Sequence, residues 1–256
     1  MTGLRTTTQR PSPDVTAAAD AGLASSVSQH YRQLLLPVSA VRSFFELSAL
    51  GIDGKMVHFS KFDKRMVLVA NVASGDMNAV REFTQLNDLM IAYGTRGLSI
   101  MAFPCNQFGC EPYDDHEIMN CLRHVRPGRN FKPRFHLMGK CDVTGPTTHP
   151  VFEYLTQRLP TSSDDARHPE NYEISANFEK FLISPDGTPM KRYTSRTRAS
   201  ALAFDIEEVV KRTFPNKMTK SRLNLFEEPD ENVVKKFEEN GKKRARREEK
   251  AIIKIH

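Results

Sequence analysis

Residues 66–73, MVLVANVA, form a short apolar run that is rich in β-branched side chains. This is the pattern of a central strand that is buried on both faces. After Gly75, apolar side chains recur at helical spacing between 80 and 93, and a second apolar run, GLSIMAF at 97–103, stops at Pro104. The order strand–helix–strand predicts two parallel strands joined by a right-handed crossover, and therefore a layered α/β domain.

Further elements are predicted on either side of this unit from apolar periodicity and from turn residues such as Pro185 and Gly187. They are a short helix at 115–122, a strand at 135–143, a helix at 150–158, strands at 178–183 and 189–193, and a last core helix at 206–214. The predicted domain covers 39–214, between an N-terminal extension at 1–38 and a charged, basic tail at 215–256 that can form a helix. The N-terminal extension is rich in Thr, Ser and Ala and lacks apolar periodicity, which predicts disorder.

Composition excludes several classes of protein. The chain has 256 residues, of which 39% are hydrophobic and 27% are charged, so it can bury a core and wholesale disorder is excluded. No apolar run reaches the roughly 18–20 residues that a membrane-spanning helix requires. The four cysteines lack the spacing of a zinc site or of a thioredoxin-type dithiol. No metal site is therefore predicted.

The basic tail carries most of the net charge of +6, and residues 242–247 of it read KKRARR. Such a cluster can act as a nuclear import signal or contact acidic partners, or it can be one face of a solvated, charged helix. We predict a cytoplasmic location, with a nuclear one through this cluster as the alternative. Asp14 and Asp20 disfavour a mitochondrial transit peptide. Sequence-specific nucleic-acid recognition is not predicted, because the cluster has no aromatic platforms.

Five short motifs carry a family resemblance when they are taken together. They are NVAS at 71–74, FPCNQFG at 103–109, KCDVTG at 140–145, HP at 149–150 and NFEKFL at 177–182. In this order and spacing they resemble a glutathione peroxidase over residues 41–212. The resemblance implies a thioredoxin-like fold, in which helices flank a central mixed sheet. The stretch VRPGRNFKPRF at 125–135 is similar to a loop of the tetrameric, selenocysteine-type branch, which implies a homo-oligomer.

The resembled family reduces hydroperoxides with a selenocysteine or a cysteine in the pattern N-V-A-S-x-[U/C]-G. Aligned on that pattern, Asp76 occupies the peroxidatic position. A helix N-terminus favours a thiolate or selenolate there, whereas a carboxylate has no two-electron redox cycle with peroxide. Asp is a favoured N-cap residue, so we predict that Asp76 caps the helix that begins near residue 80.

Two more positions of the family's active site are changed. Ala176 stands where the family has Trp, Asn177 beside it is retained, and the chain contains no Trp. Cys110 occupies the position of the family's Gln or the neighbouring position, which makes its thiol a candidate reactive group. A carboxylate at Asp76 would disfavour the thiolate form of a nearby Cys. The remaining cysteines are predicted to be small core residues: Cys105, Cys121 and Cys141.

Four cationic residues match positions that, in the tetrameric branch, attract the carboxylates of glutathione. They are Arg81, Arg126, Lys191 and Arg192. Arg is well suited to bidentate carboxylate contacts. The resemblance therefore implies glutathione or another small anionic thiol as the ligand, with no bound cofactor. The alternative is that these are scattered surface charges that only increase solubility.

Three functions remain open on the sequence alone, and catalytic activity is undecided. The first is a non-catalytic or strongly impaired glutathione peroxidase homologue that is linked to peroxide and thiol metabolism. The second is an active, thiol-dependent hydroperoxide reductase that uses a relocated thiol such as Cys110. The third is a nuclear or nucleic-acid-associated protein that acts through its basic tail.

Overall fold

The computed structural model describes residues 38–160 and 173–213. The chain divides after Val41 into two units. In the first unit, Val38–Ala40 forms a single 3-10 turn. The predicted disorder of the N-terminal extension falls almost entirely outside the described residues. The basic tail at 215–256, with the KKRARR cluster, lies wholly outside them.

The described part of the second unit contains seven strands and four α-helices. The strands are β1 (Ser48–Leu50), β2 (Met56–His58), β3 (Met66–Val72), β4 (Leu98–Pro104), β5 (His136–Leu137), β6 (Lys180–Ile183) and β7 (Pro189–Tyr193), and the helices are α1 (Ala79–Tyr93), α2 (Asp115–Asn120), α3 (Pro150–Arg158) and α4 (Ala203–Thr213). Short 3-10 turns occur at Phe44–Glu46, Phe59–Phe62 and Ala199–Leu202. None of the helices in these described ranges is long and apolar enough to cross a membrane.

Five strands form the central sheet in the order β5-β4-β3-β6-β7. β3 and β4 are parallel over their whole length, from Met66 opposite Leu98 to Val72 opposite Pro104, which confirms the predicted crossover unit. β6 pairs antiparallel with β3, so the sheet is mixed. All seven residues of β3 and of β4 are buried, as their predominantly apolar sequences predict.

One face of the sheet is covered by α1, whose buried residues include Phe83. Its ring lies 5.9 Å from that of Phe178, 6.2 Å from that of Phe135 and 6.3 Å from that of Phe131. Burial of one such side chain contributes about 1.5–3 kcal/mol. This aromatic cluster fixes α1, and with it the turn that precedes α1, against the sheet.

A buried ion pair joins the sheet to α1. Lys180 of β6 and Glu82 of α1 lie 2.9 Å apart, and both side chains are almost completely buried. Lys180 Nζ also donates to the carbonyl oxygens of Phe178 and Thr197, so its three N–H groups have acceptors. Burial lowers the pKa of Lys180, and the charge of Glu82 opposes that shift. Two charges are tolerated in this core because they satisfy each other.

The strand predicted at 135–143 is too long, because β5 spans only His136–Leu137. Beyond it the pairing with β4 becomes irregular. Gly139 N–H donates to the carbonyl oxygen of Leu50 in β1 at 2.8 Å, and Lys140 N–H donates to Asp115 Oδ1 at 2.7 Å. β1 and β2 were not predicted, since three residues each are too few to show an alternating pattern. The predicted helix at 115–122 is confirmed as α2, which continues in one wider turn at Cys121–Val125.

Candidate functional site

The candidate site is built on the turn between β3 and α1, where Asp76 lies. The N-cap of α1 is Asn78, so the prediction that Asp76 caps this helix is wrong. Asp76 instead closes the turn that precedes the helix. Its Oδ1 accepts from Asn78 N–H at 2.7 Å, and its carbonyl oxygen accepts from Ala79 N–H at 3.0 Å. An Asp side chain that bonds two residues ahead is a common way to fix such a turn.

Asn177 meets this turn from the other side of β3. Its Nδ2 donates to Asp76 Oδ2 at 3.2 Å and to the carbonyl oxygen of Gly109 at 3.3 Å. The residue is only 7% exposed. The structure therefore brings Asp76 and Asn177 together with the segment that contains Gly109 and Cys110.

Asn71, the second-last residue of β3, holds the segment that carries Asn177. Its Nδ2 donates to the carbonyl oxygen of Ala176 at 3.0 Å, and its Oδ1 accepts from Glu179 N–H at 2.9 Å. Asn71 is fully buried, so these bonds are shielded from water. Asn71 was predicted as part of a motif but without a role; a polar residue near the end of a buried apolar strand was the available signal.

A buried carboxylate fixes the segment 106–111 against the same turn. Glu111 Oε2 accepts from Ser74 N–H at 2.6 Å, and Oε1 accepts from Ser74 Oγ at 2.7 Å. Burial raises the pKa of Glu111, and the two bonds from Ser74 oppose that shift. Sequence reasoning missed this pair, because nothing in the spacing of Ser74 and Glu111 shows that they meet.

Gly75 allows the Asp76 turn and the segment 106–111 to come into contact. Its N–H donates to the carbonyl oxygen of Cys110 at 2.7 Å, and a Cβ at position 75 would lie 2.7 Å from that oxygen. No real side chain tolerates such a contact without a shift of the backbone. Cys110 itself has a positive φ of 72° and is exposed. Its backbone is therefore placed directly beside the Asp76 turn.

The other three thiols are less accessible than that of Cys110. Cys105 and Cys121 are buried, as predicted for core residues, and Cys141 is half-buried. Burial raises the pKa of the Cys105 thiol and raises that of Cys141 well above its ordinary value. Cys121 Sγ donates to Ser74 Oγ at 3.5 Å. Cys110 is thus the exposed thiol next to the candidate site.

Two of the four predicted cationic residues reach the Asp76 turn. Arg126 Nη1 donates to the carbonyl oxygen of Gly75 at 2.8 Å and to that of Asp76 at 3.2 Å. Arg81 Nη2 donates to Asn78 Oδ1 at 2.8 Å. Both guanidinium groups are partly exposed, so they place positive charge at the rim of the site.

Lys191 and Arg192 are engaged elsewhere. Lys191 is exposed and pairs with Asp205 at 2.9 Å. Arg192 is 4% exposed, and its guanidinium pairs with Glu179 at 2.7 Å and donates to the carbonyl oxygen of Glu173 at 2.8 Å. This burial corrects the assignment of Arg192 to ligand binding, because its donors serve the protein interior.

Ala176 is half-buried beside Asn177, and its methyl side chain supplies no hydrogen-bond donor to the site. Within residues 38–160 and 173–213, no group of three His, Cys, Asp or Glu side chains is arranged to hold a metal ion. Besides the buried Glu111–Ser74 pair, the chemistry available at this point is therefore that of the Asp76 carboxylate, the Asn177 amide, the exposed Cys110 thiol and the peripheral guanidinium groups of Arg81 and Arg126.

Comparisons with known proteins agree on one family. The glutathione peroxidase family model matches residues 44–156. Mouse glutathione peroxidase 2 is 41% identical over 183 residues, which cover 66% of this chain and 96% of that protein. Bovine glutathione peroxidase 1 is 41% identical over 189 residues, with 68% and 92% covered.

Solved structures also share the fold of this chain. The chain resembles Trgpx in its apo form, with a TM-score of 0.53, 26% identity and coverage of 67% of this chain and 97% of that one. It also resembles GPX1 of T. cruzi, with a TM-score of 0.51, 25% identity and coverage of 66% and 97%. The predicted thioredoxin-like fold, with a mixed sheet flanked by helices, is confirmed.

Proposed function

The chain belongs to the glutathione peroxidase family, and we propose that it is a non-catalytic or strongly impaired member that is linked to peroxide and thiol metabolism. The observation that carries the proposal is the carboxylate of Asp76 at the start of the turn into α1. It is held there by Asn78 N–H and by the amide of Asn177.

A carboxylate at this position cannot perform the family's reaction. Peroxide reduction needs an atom that is oxidised by two electrons and then reduced by thiols, as sulfur and selenium are. Asp76 can act as a base or as an acyl nucleophile, but it has no such cycle. Two further changes support the proposal, since Ala176 removes an indole N–H donor and Cys110 stands at or beside the position of Gln.

The ligand that fits the cationic residues retained at this site is glutathione or another small anionic thiol. Arg126 and Arg81 place positive charge at the rim of the Asp76 turn. A guanidinium group that is partly exposed can take a carboxylate in a bidentate contact. Binding of such a ligand without turnover is the activity that we propose for the site.

A second candidate function is peroxide reduction by Cys110. The exposure of this thiol and the 2.7 Å bond from Gly75 N–H to its carbonyl oxygen favour it. In this reaction the thiolate would attack the hydroperoxide, form a sulfenic acid with release of an alcohol or water, and be returned by two thiols.

One assay separates the two candidates. The purified full chain is incubated with hydrogen peroxide or a lipid hydroperoxide, with glutathione or thioredoxin as the reductant, and thiol consumption is followed. We expect no turnover above that of the uncatalysed reaction. Turnover that disappears in Cys110→Ser but survives in the matched variant Cys121→Ser would overturn the non-catalytic proposal. Asp76→Cys combined with Ala176→Trp restores two family residues and should gain turnover.

A further inference from the structure

Met77 is the most exposed large apolar side chain among the residues that the structure describes, at 88%. It lies at the tip of the turn into α1. Asp76 Oδ1 accepts from Asn78 N–H at 2.7 Å, and the Asp76 carbonyl oxygen accepts from Ala79 N–H at 3.0 Å. Both bonds span residue 77 without using its side chain, so the thioether extends into solvent.

Met77 directly follows the position of the family's reactive atom. In the pattern N-V-A-S-x-[U/C]-G it occupies the place of Gly. A thioether can be oxidised by two electrons to a sulfoxide, which is a redox step that the carboxylate of Asp76 lacks. The sulfur lone pair of a thioether needs no deprotonation, so a neighbouring carboxylate, which disfavours a thiolate, does not suppress this reaction.

Guanidinium groups bond to the residues on either side of Met77. Arg126 Nη1 donates to the carbonyl oxygen of Asp76 at 3.2 Å, in the peptide group that joins residues 76 and 77. Arg81 Nη2 donates to Asn78 Oδ1 at 2.8 Å. Both guanidinium groups are partly exposed, and each has further N–H donors. These donors can stabilise a peroxide oxygen as it takes up negative charge.

The other methionines of the described ranges are better protected than Met77. Met190 and Met56 are 43% and 38% exposed, and the remaining ones are less exposed than these two. The exposed fraction of Met77 is about twofold that of Met190, so exposure alone predicts about a twofold difference in the rate of oxidation.

The charges near Met190 differ from those near Met77. Lys191, which follows Met190 in β7, is paired with Asp205 at 2.9 Å. Arg126 forms no ion pair with a carboxylate among the described residues, and its Nη1 faces backbone carbonyl oxygens. A peroxide oxygen that develops negative charge is therefore stabilised more strongly at Met77.

We propose that Met77 is a modification site for hydroperoxides, at which the chain performs once the two-electron oxidation that residue 76 cannot perform. Met77 Sδ attacks the terminal oxygen of the hydroperoxide, an S–O bond forms, and the O–O bond breaks. The proton of the terminal oxygen passes to the leaving oxygen. The sulfur is oxidised by two electrons to the sulfoxide, and the hydroperoxide is reduced to an alcohol, or hydrogen peroxide to water.

The return step belongs to a second enzyme. A methionine sulfoxide reductase restores the thioether, and two thiols supply the electrons and give a disulfide and water. The two steps together convert a hydroperoxide and two thiols into an alcohol, water and a disulfide. The inference rests on the proposed function, because it takes the chain as one that reacts with peroxide without turning it over.

The test is time-resolved peptide mass spectrometry of the full chain, treated with hydrogen peroxide or tert-butyl hydroperoxide in the absence of thiols. The rates of sulfoxide formation at Met77 and at Met190 are compared in the same sample. We expect Met77 to react about 10-fold faster, because one charge-assisted hydrogen bond to the peroxide adds to the difference in exposure. In the urea-unfolded chain the two rates should converge, since both side chains are then exposed.

Three variants identify the group responsible. Arg126→Gln should reduce the ratio of the two rates to the value of about two that exposure gives. Arg126→Lys keeps the positive charge and should retain most of the ratio. Arg212→Gln is the matched control, because it removes an exposed guanidinium on α4, and it should leave the ratio unchanged.

A rate at Met77 that is no more than about twice that at Met190, or a ratio that is unchanged in Arg126→Gln, would overturn the inference and leave the non-catalytic proposal intact. A Met77 sulfoxide that methionine sulfoxide reductase with dithiothreitol fails to reduce would contradict the return step. Thiol-dependent turnover through Cys110 would overturn the proposed function but not the Met77 rate, which is measured without thiols.

Discussion

Asn177 Nδ2 donates to Asp76 Oδ2 at 3.2 Å, although the two residues are 101 positions apart in the sequence. The bond joins the segment that leads into β6 to the turn that leads into α1. Both segments lie at the same edge of the sheet, because β6 runs antiparallel to β3 and begins where β3 ends. The contact therefore adds to the Lys180–Glu82 pair, which joins the same two elements further from the site.

This bond should appear as an energetic coupling in a double-mutant cycle. Asp76→Ala and Asn177→Ala, measured singly and together by urea denaturation, should show a coupling free energy of about 0.5–1.5 kcal/mol, the usual net value of one hydrogen bond. Asp76→Ala paired with Arg212→Ala on α4 is the control cycle and should be additive. A coupling that is indistinguishable from that of the control would show that the bond does not form in solution.

The buried pair Lys180–Glu82 should behave differently from an exposed one. Lys180→Met leaves the Glu82 carboxylate buried without its counter-charge, which should lower the free energy of unfolding by about 3–5 kcal/mol in urea denaturation. Adding Glu82→Leu should recover a large part of this loss, since the uncompensated charge is then removed.

Arg212 and Glu208 supply the matched control, because they form an exposed pair on α4 with side chains that are 77% and 50% exposed. Arg212→Met should change stability by no more than about 0.5 kcal/mol. A loss in Lys180→Met that is as small as the loss in this control would contradict the role given to the buried pair.

The sheet could be predicted from the sequence because β3 and β4 are buried on both faces. Their sequences are apolar except for Asn71 and Ser99, and the helix between them shows its own period. β5 was predicted too long, since the N–H groups of Gly139 and Lys140 donate to Leu50 of β1 and to the Asp115 side chain instead of to β4, and these bonds leave no trace in the apolar pattern. The structure of segments that depend on such long-range bonds cannot be predicted from the local sequence.

The candidate site could be predicted in part for the same reason. Parallel strands end at one edge of a sheet, so the residues after β3 and β4 meet there, and Asp76 and Cys110 follow from their motifs. Arg192 was predicted to bind the ligand, because the charge of a residue does not show whether its side chain points to solvent or to the interior. In the structure it lies opposite Phe181 in the β6–β7 ladder and pairs inward with Glu179.

Thiol labelling should distinguish Cys110 from the other three cysteines. Its exposure predicts one rapid phase with Ellman's reagent in the native chain. Burial raises the thiol pKa of Cys105 and Cys141 and so lowers their thiolate fraction. We expect these thiols to react at least about 10-fold more slowly. Cys110→Ser should remove the rapid phase and Cys141→Ser should keep it; persistence of that phase in Cys110→Ser would contradict the described exposure.

Glu111 should give the chain a pH-dependent stability term with a definite sign. Burial raises the pKa of Glu111 in the folded state above its ordinary value near 4.3, so the folded state holds this proton more tightly than the unfolded state does. The contribution of Glu111 to the free energy of unfolding is therefore largest at pH values below the ordinary pKa. This contribution declines as the pH rises from the ordinary pKa to the raised pKa of the folded state, and it is constant at higher pH.

Comparison with Glu111→Gln isolates this term from the other carboxylates. The unfolding free energy of the unmodified chain minus that of Glu111→Gln, from urea denaturation at intervals between about pH 4 and pH 7, should fall as pH rises. Glu208→Gln, an exposed carboxylate on α4, corrects for the loss of one negative charge. A difference that rises with pH would mean that the two hydrogen bonds from Ser74 outweigh burial and hold the pKa of Glu111 below its ordinary value.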